Sequence, residues 1–170
     1  MQNKRIFLIG FMGVGKTTLG KKLANKTKLP FFDIDQEIEK VSDLSINMIF
    51  EKYGEVYFRK EETKMLNKLI NNYPEAIISV GGGLPCFNDN MKLMNRAGLT
   101  CYLQRPAKEL YQRLRNSKDE RPLLRKLNDE ELLSFIEEKL LERETFYNQA
   151  KLVVKRENQE VKKMIELLGL

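Results

Sequence analysis

Short apolar runs recur along the chain and alternate with longer segments whose apolar residues are spaced three or four positions apart. The runs are continuous rather than alternating in polarity, which is typical of strands buried on both faces of a parallel sheet. They predict five strands, at residues 5–9, 30–34, 76–80, 100–103 and 152–155. The segments between them predict helices, at residues 17–27, 34–41, 45–52, 54–71, 88–96, 107–115, 129–149 and 158–168. Strands that alternate with helices indicate an α/β fold, a doubly wound parallel sheet flanked by helices.

Two segments are longer than a simple connection requires. Residues 34–60 contain short predicted helices after the second strand, and residues 116–128 are polar and charged around an Arg-Pro-Leu-Leu sequence. Long excursions from a compact α/β domain often cover a substrate. We therefore expect a substrate-binding helical insert at 34–60 and a lid at 116–128, within a single domain that spans residues 1–170.

The composition excludes several classes of site. The chain has 170 residues, no histidine and two cysteines that form no C-x-x-C pair, which excludes zinc sites built on that motif and catalysis by histidine. A general base must then be Asp, Glu, Lys or Tyr. No apolar stretch approaches the roughly 20 residues of a membrane span, and the first strand begins too early to leave room for a signal peptide. We expect a cytoplasmic protein with two free thiols and no membrane partner.

The chain carries a formal net charge of +6. Its basic residues are scattered among acidic ones rather than gathered into a stripe, so we expect no nucleic-acid partner. A positive field also attracts small anionic substrates such as nucleotides and carboxylates. The charge therefore favours a small-molecule ligand, and we expect a monomer.

A complete phosphate-binding motif follows the first predicted strand. Residues 10–17 read Gly-Phe-Met-Gly-Val-Gly-Lys-Thr, which matches G-x-x-x-x-G-K-[ST] and leads into a predicted helix. Backbone amides of such a loop converge on phosphate oxygens, Lys16 can reach the β- and γ-phosphates, and the Thr17 hydroxyl can ligate Mg²⁺. The chain is predicted to bind a nucleoside triphosphate through Gly13, Val14, Gly15, Lys16, Thr17 and Thr18.

Two carboxylates, Asp33 and Asp35, lie where the second strand ends. Residues two apart on a strand share a face, so both can point into the crevice where open α/β sheets bind ligands. One can hold Mg²⁺ through water while the other accepts a hydrogen bond from an acceptor hydroxyl. Aspartates at this position can also cap the helix that follows.

The third strand ends differently from that of many P-loop proteins. Those proteins carry an aspartate for Mg²⁺ at this position, whereas this strand ends in Ser79 and is followed by Gly81, Gly82 and Gly83. Three successive glycines suggest that the backbone approaches a small ligand closely.

Three arginines are candidates for binding negative charge. Arg59 lies early in one long predicted helix and Arg143 late in another, and two converging guanidinium groups would grip a carboxylate. Arg121 begins the Arg-Pro-Leu-Leu sequence of the predicted lid, from which it could neutralise charge on a transferring phosphoryl group.

Taken together, these residues resemble the shikimate kinase family through essentially the whole chain. The matching segments, in order, are Gly10–Thr18, Asp33 with Asp35, Ile49–Phe50, Gly54–Glu55, Phe58–Arg59, Gly81–Gly83, Arg121–Leu124, and Arg143 before Tyr147. The resemblance implies a three-layer P-loop kinase fold. It also implies an enzyme that uses ATP and Mg²⁺ to phosphorylate the 3-hydroxyl of shikimate, on the route to chorismate and the aromatic amino acids.

The resemblance implies a role for each matched residue on the donor side. Lys16 and Thr17 would hold the phosphates and Mg²⁺, and Asp33 would support the metal through water. Arg121 would reach both the γ-phosphate and the substrate. Lys16 and Arg121 would thus be catalytic, together with Asp35.

On the acceptor side, the resemblance implies that Asp35 binds and polarises the shikimate hydroxyl. Arg59 and Arg143 would clamp the carboxylate, with the backbone of Gly81, Gly82 and Gly83 beside the ring. The apolar wall would consist of Phe50, Phe58 and Pro122.

The adenine contacts are the least defined part of the predicted site. Arg113 and Arg115 both lie where the family commonly carries a basic residue before the lid. Residues 155–158, Lys-Arg-Glu-Asn, do not align cleanly with the family pattern after the last strand. Both arginines remain candidates, and the preference for ATP over other triphosphates rests on the resemblance.

Other nucleotide-binding classes fit the sequence less well. A gluconate kinase or a nucleoside monophosphate kinase shares the architecture but would need a different polar set for its acceptor. A GTPase needs an N-K-x-D motif, and Asn25-Lys26-Thr27-Lys28 lacks the aspartate. A nucleic-acid-dependent ATPase would be expected to keep an acid where Ser79 stands. A hydroxylated carboxylate fits Asp35, Arg59 and Arg143 best.

Overall fold

A five-stranded parallel sheet forms the centre of the molecule. The computed structural model describes residues 4–117, 124 and 127–170. The strands lie in the order β2-β3-β1-β4-β5. Their bounds are Lys4–Ile9 (β1), Phe31–Asp33 (β2), Glu75–Ser79 (β3), Leu99–Leu103 (β4) and Leu152–Val154 (β5). The predicted strands and the α/β fold class are confirmed, with strand ends that differ by one residue or less.

Helices cover both faces of the sheet. In chain order they are α1 (Lys16–Thr27), α2 (Ile34–Ser42), α3 (Ile46–Asn72), α4 (Asn90–Ala97), α5 (Ala107–Arg115), α6 (Asp129–Tyr147) and α7 (Val161–Leu168). Two short 3₁₀ turns, Leu84–Cys86 and Arg156–Asn158, were not predicted. None of the described helices is long and apolar enough to cross a membrane.

The predicted insert at residues 34–60 consists of α2 and the first part of α3. The two helices predicted at 45–52 and 54–71 form one element that bends at Gly54, where φ is +78° and ψ is 174°. Ser45 caps the start of this helix, because its hydroxyl accepts a hydrogen bond from the Met48 amide at 3.2 Å. Arg121, Pro122 and most of the predicted lid lie outside the described residues.

The strand order locates the ligand crevice. The chain leaves β1 toward the β2 edge of the sheet, and it leaves β3 toward β4 on the other side. The connections that follow β1 and β3 therefore run in opposite directions across the sheet. These two neighbouring strands pair in parallel, from Lys4 with Glu75 to Leu8 with Ser79. Open α/β sheets bind ligands outside the carboxyl ends of strands at such a switch point. The phosphate-binding loop follows β1, and the three glycines follow β3.

Candidate active site

The phosphate-binding loop presents the open amino end of α1. Gly15 precedes the helix in a left-handed conformation with φ of +104°, which glycine adopts without the clash a Cβ would cause. No side chain caps this helix end, and its first turn carries no acidic residue. The backbone amides there are thus available to an anion, and the helix dipole favours one. The Lys16 ammonium donates to the carbonyl oxygens of Gly10 and Phe11 at 2.8 and 3.0 Å, within the same loop.

A cavity of about 450 Å³ lies over this loop. Three segments bound this cavity: the phosphate-binding loop, the end of β2 and the glycine triplet at residues 81–83. The sequence predicted that these segments meet. The walls of the cavity include Lys16, Thr17, Asp33, Asp35, Ser79, Gly81, Gly82 and Arg113. The structure therefore brings Lys16, Thr17 and Arg113 of the predicted donor side to the same space as Asp35, the predicted hydroxyl-binding aspartate.

Asp33 has two structural partners at the end of β2. Its Oδ2 accepts a hydrogen bond from the Thr17 hydroxyl at 2.6 Å, and its Oδ1 accepts one from the Gln36 amide at 3.4 Å. Asp33, rather than Asp35, therefore caps α2. Asp35 lies in the first turn of that helix and lines the cavity.

The Thr17 and Asp33 pair fits the requirements of Mg²⁺. Both contribute oxygen atoms beside the cavity, and Mg²⁺ prefers oxygen ligands while it retains several waters. Over residues 4–117, 124 and 127–170, no group of three or more His, Cys, Asp and Glu side chains could hold a metal ion. A site of one hydroxyl and one carboxylate accommodates an ion that is otherwise held by phosphate and water.

Residues 81–83, here called the glycine loop, face the charged groups of the acceptor region. A methyl group on Gly81 would lie 2.7 Å from Glu62 Oε1 and 3.1 Å from Asp35 Oδ1. One on Gly83 would lie 2.7 Å from both terminal nitrogens of Arg59. A Cβ at Gly81 or Gly83 would therefore displace the ends of these charged side chains from the loop. The triplet lets the backbone approach these charged groups closely.

Arg59 is held beside the glycine loop by two acidic neighbours on α3. One terminal nitrogen bonds to Glu62 at 2.7 Å and the other to Glu55 at 2.9 Å. The guanidinium also lies over the Phe87 ring, 4.4 Å from its centroid. The group is consequently positioned before any ligand binds.

Arg143 reaches the same loop from α6. A methyl group on Gly82 would lie 3.3 Å from Arg143 Nη1, and the guanidinium lies 5.4 Å from the centroid of the Phe11 ring. One helical turn later, the Tyr147 hydroxyl donates to the carbonyl oxygen of Gly82 at 2.5 Å. Burial raises the pKa of this tyrosine, so it stays protonated and keeps its role as donor. The two predicted arginines thus flank one loop from different helices.

Glu62 belongs to this cluster and was missed by sequence reasoning. Its side chain is 1% exposed, and burial raises its pKa to about 7 even though Arg59 opposes the shift. A sequence signal did exist, because Glu62 falls on the buried stripe of α3 with Phe58, Met65 and Leu66. An acid on the apolar face of a helix, three residues after a candidate arginine, is a sign of a functional cluster.

The predicted apolar wall is partly core. Phe50 and Phe58 pack with ring centroids 4.6 Å apart, and Phe58 is 4% exposed. Phe58 also lies beneath the Arg59 guanidinium, 5.5 Å from ring centroid to Cζ. Phe58 thus packs against the Arg59 guanidinium, and Phe50 packs against Phe58.

A second cavity, of about 360 Å³, adjoins the first and shares Gly15, Thr18 and Arg113 with it. Arg113 Nε donates to the carbonyl oxygen of Gly13 at 2.7 Å, which places this arginine on the phosphate-binding loop. Arg115 instead pairs with Asp129 at 3.1 Å and donates to the Tyr111 hydroxyl. Only the first of the two candidate arginines lines either of these two cavities.

The outer wall of the second cavity is held by Gln159, which follows the second 3₁₀ turn. Its amide nitrogen donates to the carbonyl oxygens of Gln104 and Val154, each at 2.9 Å. Its carbonyl oxygen accepts from Arg105 Nε at 3.0 Å. The side chain thereby joins the segments that follow β4 and β5, in the region where the sequence showed no clear pattern.

Known proteins resemble this chain in sequence and structure. Residues 12–168 match the family described as shikimate kinase. The chain is 44% identical over 162 residues to a shikimate kinase of Bacteroides fragilis, a match that covers 95% of the chain and 90% of that relative. A crystal structure of shikimate kinase from Bacteroides thetaiotaomicron matches with a TM-score of 0.93, at 41% identity over 98% of this chain and 99% of that one. Shikimate kinase from Acinetobacter baumannii, solved in complex with shikimate, matches with a TM-score of 0.84 at 34% identity over 97% and 92% of the two chains.

Proposed function

Because the chain belongs to the shikimate kinase family, we propose that it transfers the γ-phosphoryl group of ATP to the 3-hydroxyl of shikimate, with shikimate 3-phosphate and ADP as products. The observation that carries this proposal is the convergence of Arg59 and Arg143 on the glycine loop, next to Asp35 and the cavity over the phosphate-binding loop. Two guanidinium groups and a carboxylate suit an acceptor that has a carboxylate at one end and hydroxyls at the other.

On the donor side, the residues from Gly13 to Thr18 bind the phosphates of ATP through backbone amides, the Lys16 ammonium and the Thr17 hydroxyl. Arg113 lies between the phosphates and the base, and the second cavity receives the base. Thr17 and Asp33 would hold Mg²⁺, which when bound supplies positive charge to the phosphates.

On the acceptor side, Arg59 and Arg143 bind the carboxylate of shikimate, and the backbone of Gly81, Gly82 and Gly83 lies against the ring. Asp35 accepts the hydrogen bond of the reacting hydroxyl. Phe50 and Phe58 support Arg59, and Pro122 completes the apolar wall. Glu62 keeps the Arg59 guanidinium directed at the loop.

The chemistry follows from the charge that develops during phosphoryl transfer. The transition state spreads negative charge over the transferring group, so positioning and cationic stabilisation dominate the rate. Lys16 and Arg121 supply positive charge to that group, Arg121 from the lid at residues 116–128. Asp35 orients the hydroxyl toward the phosphorus and takes its proton as the new P–O bond forms. Lid closure excludes water and suppresses ATP hydrolysis without an acceptor.

We further propose that the protein acts in the cytoplasm as a monomer with one domain, on a small-molecule substrate and without a nucleic-acid or membrane partner. The even scatter of basic and acidic residues along the chain supports the part of this proposal that excludes a nucleic-acid partner.

An ADP-release assay with Mg²⁺ and ATP tests the proposed reaction. Shikimate, gluconate and a set of nucleoside monophosphates are offered separately as acceptors, and we expect shikimate alone to stimulate ADP release. A Lys16→Ala variant serves as the control for a contaminating kinase, because it removes the ammonium that contacts the phosphates. Stimulation by gluconate or by a monophosphate, with none by shikimate, would contradict the proposal.

A further inference from the structure

Asn90, the first residue of α4, is a polar side chain buried in the core. It is 1% exposed. Its Nδ2 donates to the Thr63 hydroxyl on α3 at 3.1 Å and to the carbonyl oxygen of Leu84, just after the glycine loop, also at 3.1 Å. Its Oδ1 is buried and accepts no hydrogen bond from the described residues. Burial of an amide whose oxygen has no hydrogen-bond partner costs free energy of folding. The presence of Asn90 in the core therefore indicates that the two bonds of its Nδ2 are important to the protein.

The Thr63 hydroxyl uses its full hydrogen-bonding capacity at this point. It accepts from Asn90 Nδ2 and from Asn88 Nδ2, each at 3.1 Å, and it donates to the backbone carbonyl oxygen of Arg59 at 3.0 Å. A hydroxyl has one proton and two lone pairs, and all three are engaged. Thr63 therefore ties the backbone of Arg59 to the segment that follows the glycine loop.

That segment also surrounds the Arg59 side chain. Gly83 packs against the guanidinium, and the Phe87 ring lies 4.4 Å from it. The next two residues, Asn88 and Asp89, adopt left-handed conformations with φ of +52° and +54°. Besides glycine, Asn and Asp are the residues that most readily adopt such values, and here they form a tight turn. The link between Thr63 and Asn90 lies beside this turn.

We propose that Thr63 and Asn90 are positioning residues that fix Arg59 relative to the glycine loop and thereby set the affinity for the carboxylate of the acceptor. The inference rests on the proposed function, because it takes Arg59 and the glycine loop as two sides of the acceptor site. Paired hydrogen bonds between a guanidinium group and a carboxylate require a nearly fixed geometry, so a small displacement of Arg59 weakens acceptor binding. The link should therefore affect acceptor binding and leave ATP binding unchanged.

Kinetics of a Thr63→Val variant test this proposal. Valine keeps the shape of threonine and removes the hydroxyl that joins α3 to Asn90. We expect the KM for shikimate to rise about tenfold, with the KM for ATP and kcat within about twofold of wild type. Thr63→Ser restores the hydroxyl and should return the KM for shikimate to near the wild-type value.

Thr27→Val is the matched control. The Thr27 hydroxyl donates to the Leu23 carbonyl oxygen at 2.9 Å, the same bond four residues back that Thr63 makes, but on α1. We expect both KM values of this variant to stay at wild-type level. Thermal melts of the three variants check that each is folded. The test uses no substitution of Asn90, because a change at this buried residue could prevent folding.

Two outcomes overturn the inference. The first is a Thr63→Val enzyme with both KM values unchanged. The second is a defect that Thr63→Ser does not repair or that affects the KM values for ATP and shikimate equally.

Arg59→Ala separates the inference from the function on which it rests. An unchanged KM for shikimate in Arg59→Ala overturns the proposed clamp and the inference together. A raised KM in Arg59→Ala with an unchanged one in Thr63→Val overturns the inference alone.

Discussion

Four charged side chains meet at the glycine loop: Asp35, Arg59, Glu62 and Arg143. Three of them were predicted from the sequence, because an aspartate at a strand end and arginines on flanking helices have recognisable local settings. Glu62 was not predicted: its place on the apolar stripe of α3, three residues after Arg59, indicates burial, but nothing near it in the chain says that Asp35 lies beside it. At the scale of single residues, the difference lies in burial, and burial depends on parts of the chain that are far apart.

Substitutions of Asp33 and Asp35, the two aspartates at the end of β2, should change different kinetic constants. Asp35→Asn removes the carboxylate that accepts the proton of the acceptor hydroxyl, so we expect kcat to fall by ~10²-fold or more while the KM for ATP is retained. Asp33→Asn alters the partner of Thr17 and should instead raise the KM for MgATP. Steady-state kinetics, with ATP and shikimate varied in turn, check both predictions. Equal effects of the two changes on both substrates would contradict the assignment.

The burial of Glu62 should make stability depend on pH. Its pKa of about 7 in the folded protein lies above the ordinary 4.5, so the unfolded chain loses this proton first as pH rises. Stability from this group is complete below pH 4.5 and is lost as pH rises toward 7, by about 3 kcal/mol in total.

Glu62→Gln removes this titration. The free energy of unfolding of the variant, relative to wild type, should therefore increase by about 2 to 3 kcal/mol between pH 5 and pH 8, as measured by urea denaturation. Glu61→Gln is the control, since the Glu61 side chain lies at the next position and pairs with Lys64 at 3.7 Å near the surface. A constant difference between wild type and Glu62→Gln over this pH range would exclude the effect.

At the scale of elements, the bend of α3 decides how the insert meets the sheet. The part before Gly54 carries Phe50, and the part after it carries Phe58 and Arg59. The rings of Phe50 and Phe58 can pack at 4.6 Å because the chain turns between them. The sequence pattern indicated two helices here and thus located the break, but the pattern did not give the angle between them.

Gly54→Ala tests the bend. Nothing lies within 4 Å of a methyl group at this position, so the cost comes from the backbone, whose φ of +78° and ψ of 174° are essentially reserved for glycine, and amounts to about 1 to 3 kcal/mol. We expect that loss of stability, together with a rise in the KM for shikimate, because relief of the strain straightens the helix and moves Arg59. Gly169→Ala is the control for a positive φ in open space away from the site, with φ of +65° and ψ of +38° at the end of α7. It should lose about 1 kcal/mol of stability and leave both KM values unchanged.

Helix α5, which precedes the predicted lid, gives a second prediction at this scale. Arg113 and Arg115 are two residues apart on α5 and therefore point in different directions. Arg113 bonds to the phosphate-binding loop and Arg115 to α6. Arg113→Ala should raise the KM for ATP about tenfold, and Arg115→Ala should change it by less than about twofold. The opposite ranking of the two variants, measured at saturating shikimate, would assign the nucleotide contact to Arg115.

At the scale of the whole molecule, the end of the sheet away from the site has a purely structural centre. Arg5 is 8% exposed near the start of β1. It donates to the carbonyl oxygens of Tyr73, Ala97 and Ile70 at 2.7, 2.5 and 3.0 Å, and so joins the ends of α3 and α4 to the central strand. A buried arginine here stabilises the packing of the layers and takes no part in ligand binding.

Arg5→Met should therefore lower stability without changing catalysis. Three partly buried carbonyl oxygens lose their donor, and we expect a cost of about 1 to 3 kcal/mol. The melting temperature should fall while the KM for each substrate stays at the wild-type value, since the site lies beyond the opposite ends of the strands. Lys4→Met, at the exposed neighbouring position, should leave both stability and kinetics unchanged. A raised KM in folded Arg5→Met would show that the two ends of the sheet are coupled.

The sequence by itself determined the features that are local in the chain. The phosphate-binding loop, the strand and helix pattern and the glycine triplet each depend on a few consecutive residues, whose backbone preferences are set before the chain packs. The tertiary structure alone decided which distant groups meet. The approach of Arg143 to Gly82, the position of Arg113 on the phosphate-binding loop, and the bond from Asn90 to Thr63 all join residues on separate segments. Their distances follow from how helices pack on the sheet, and no local pattern encodes them.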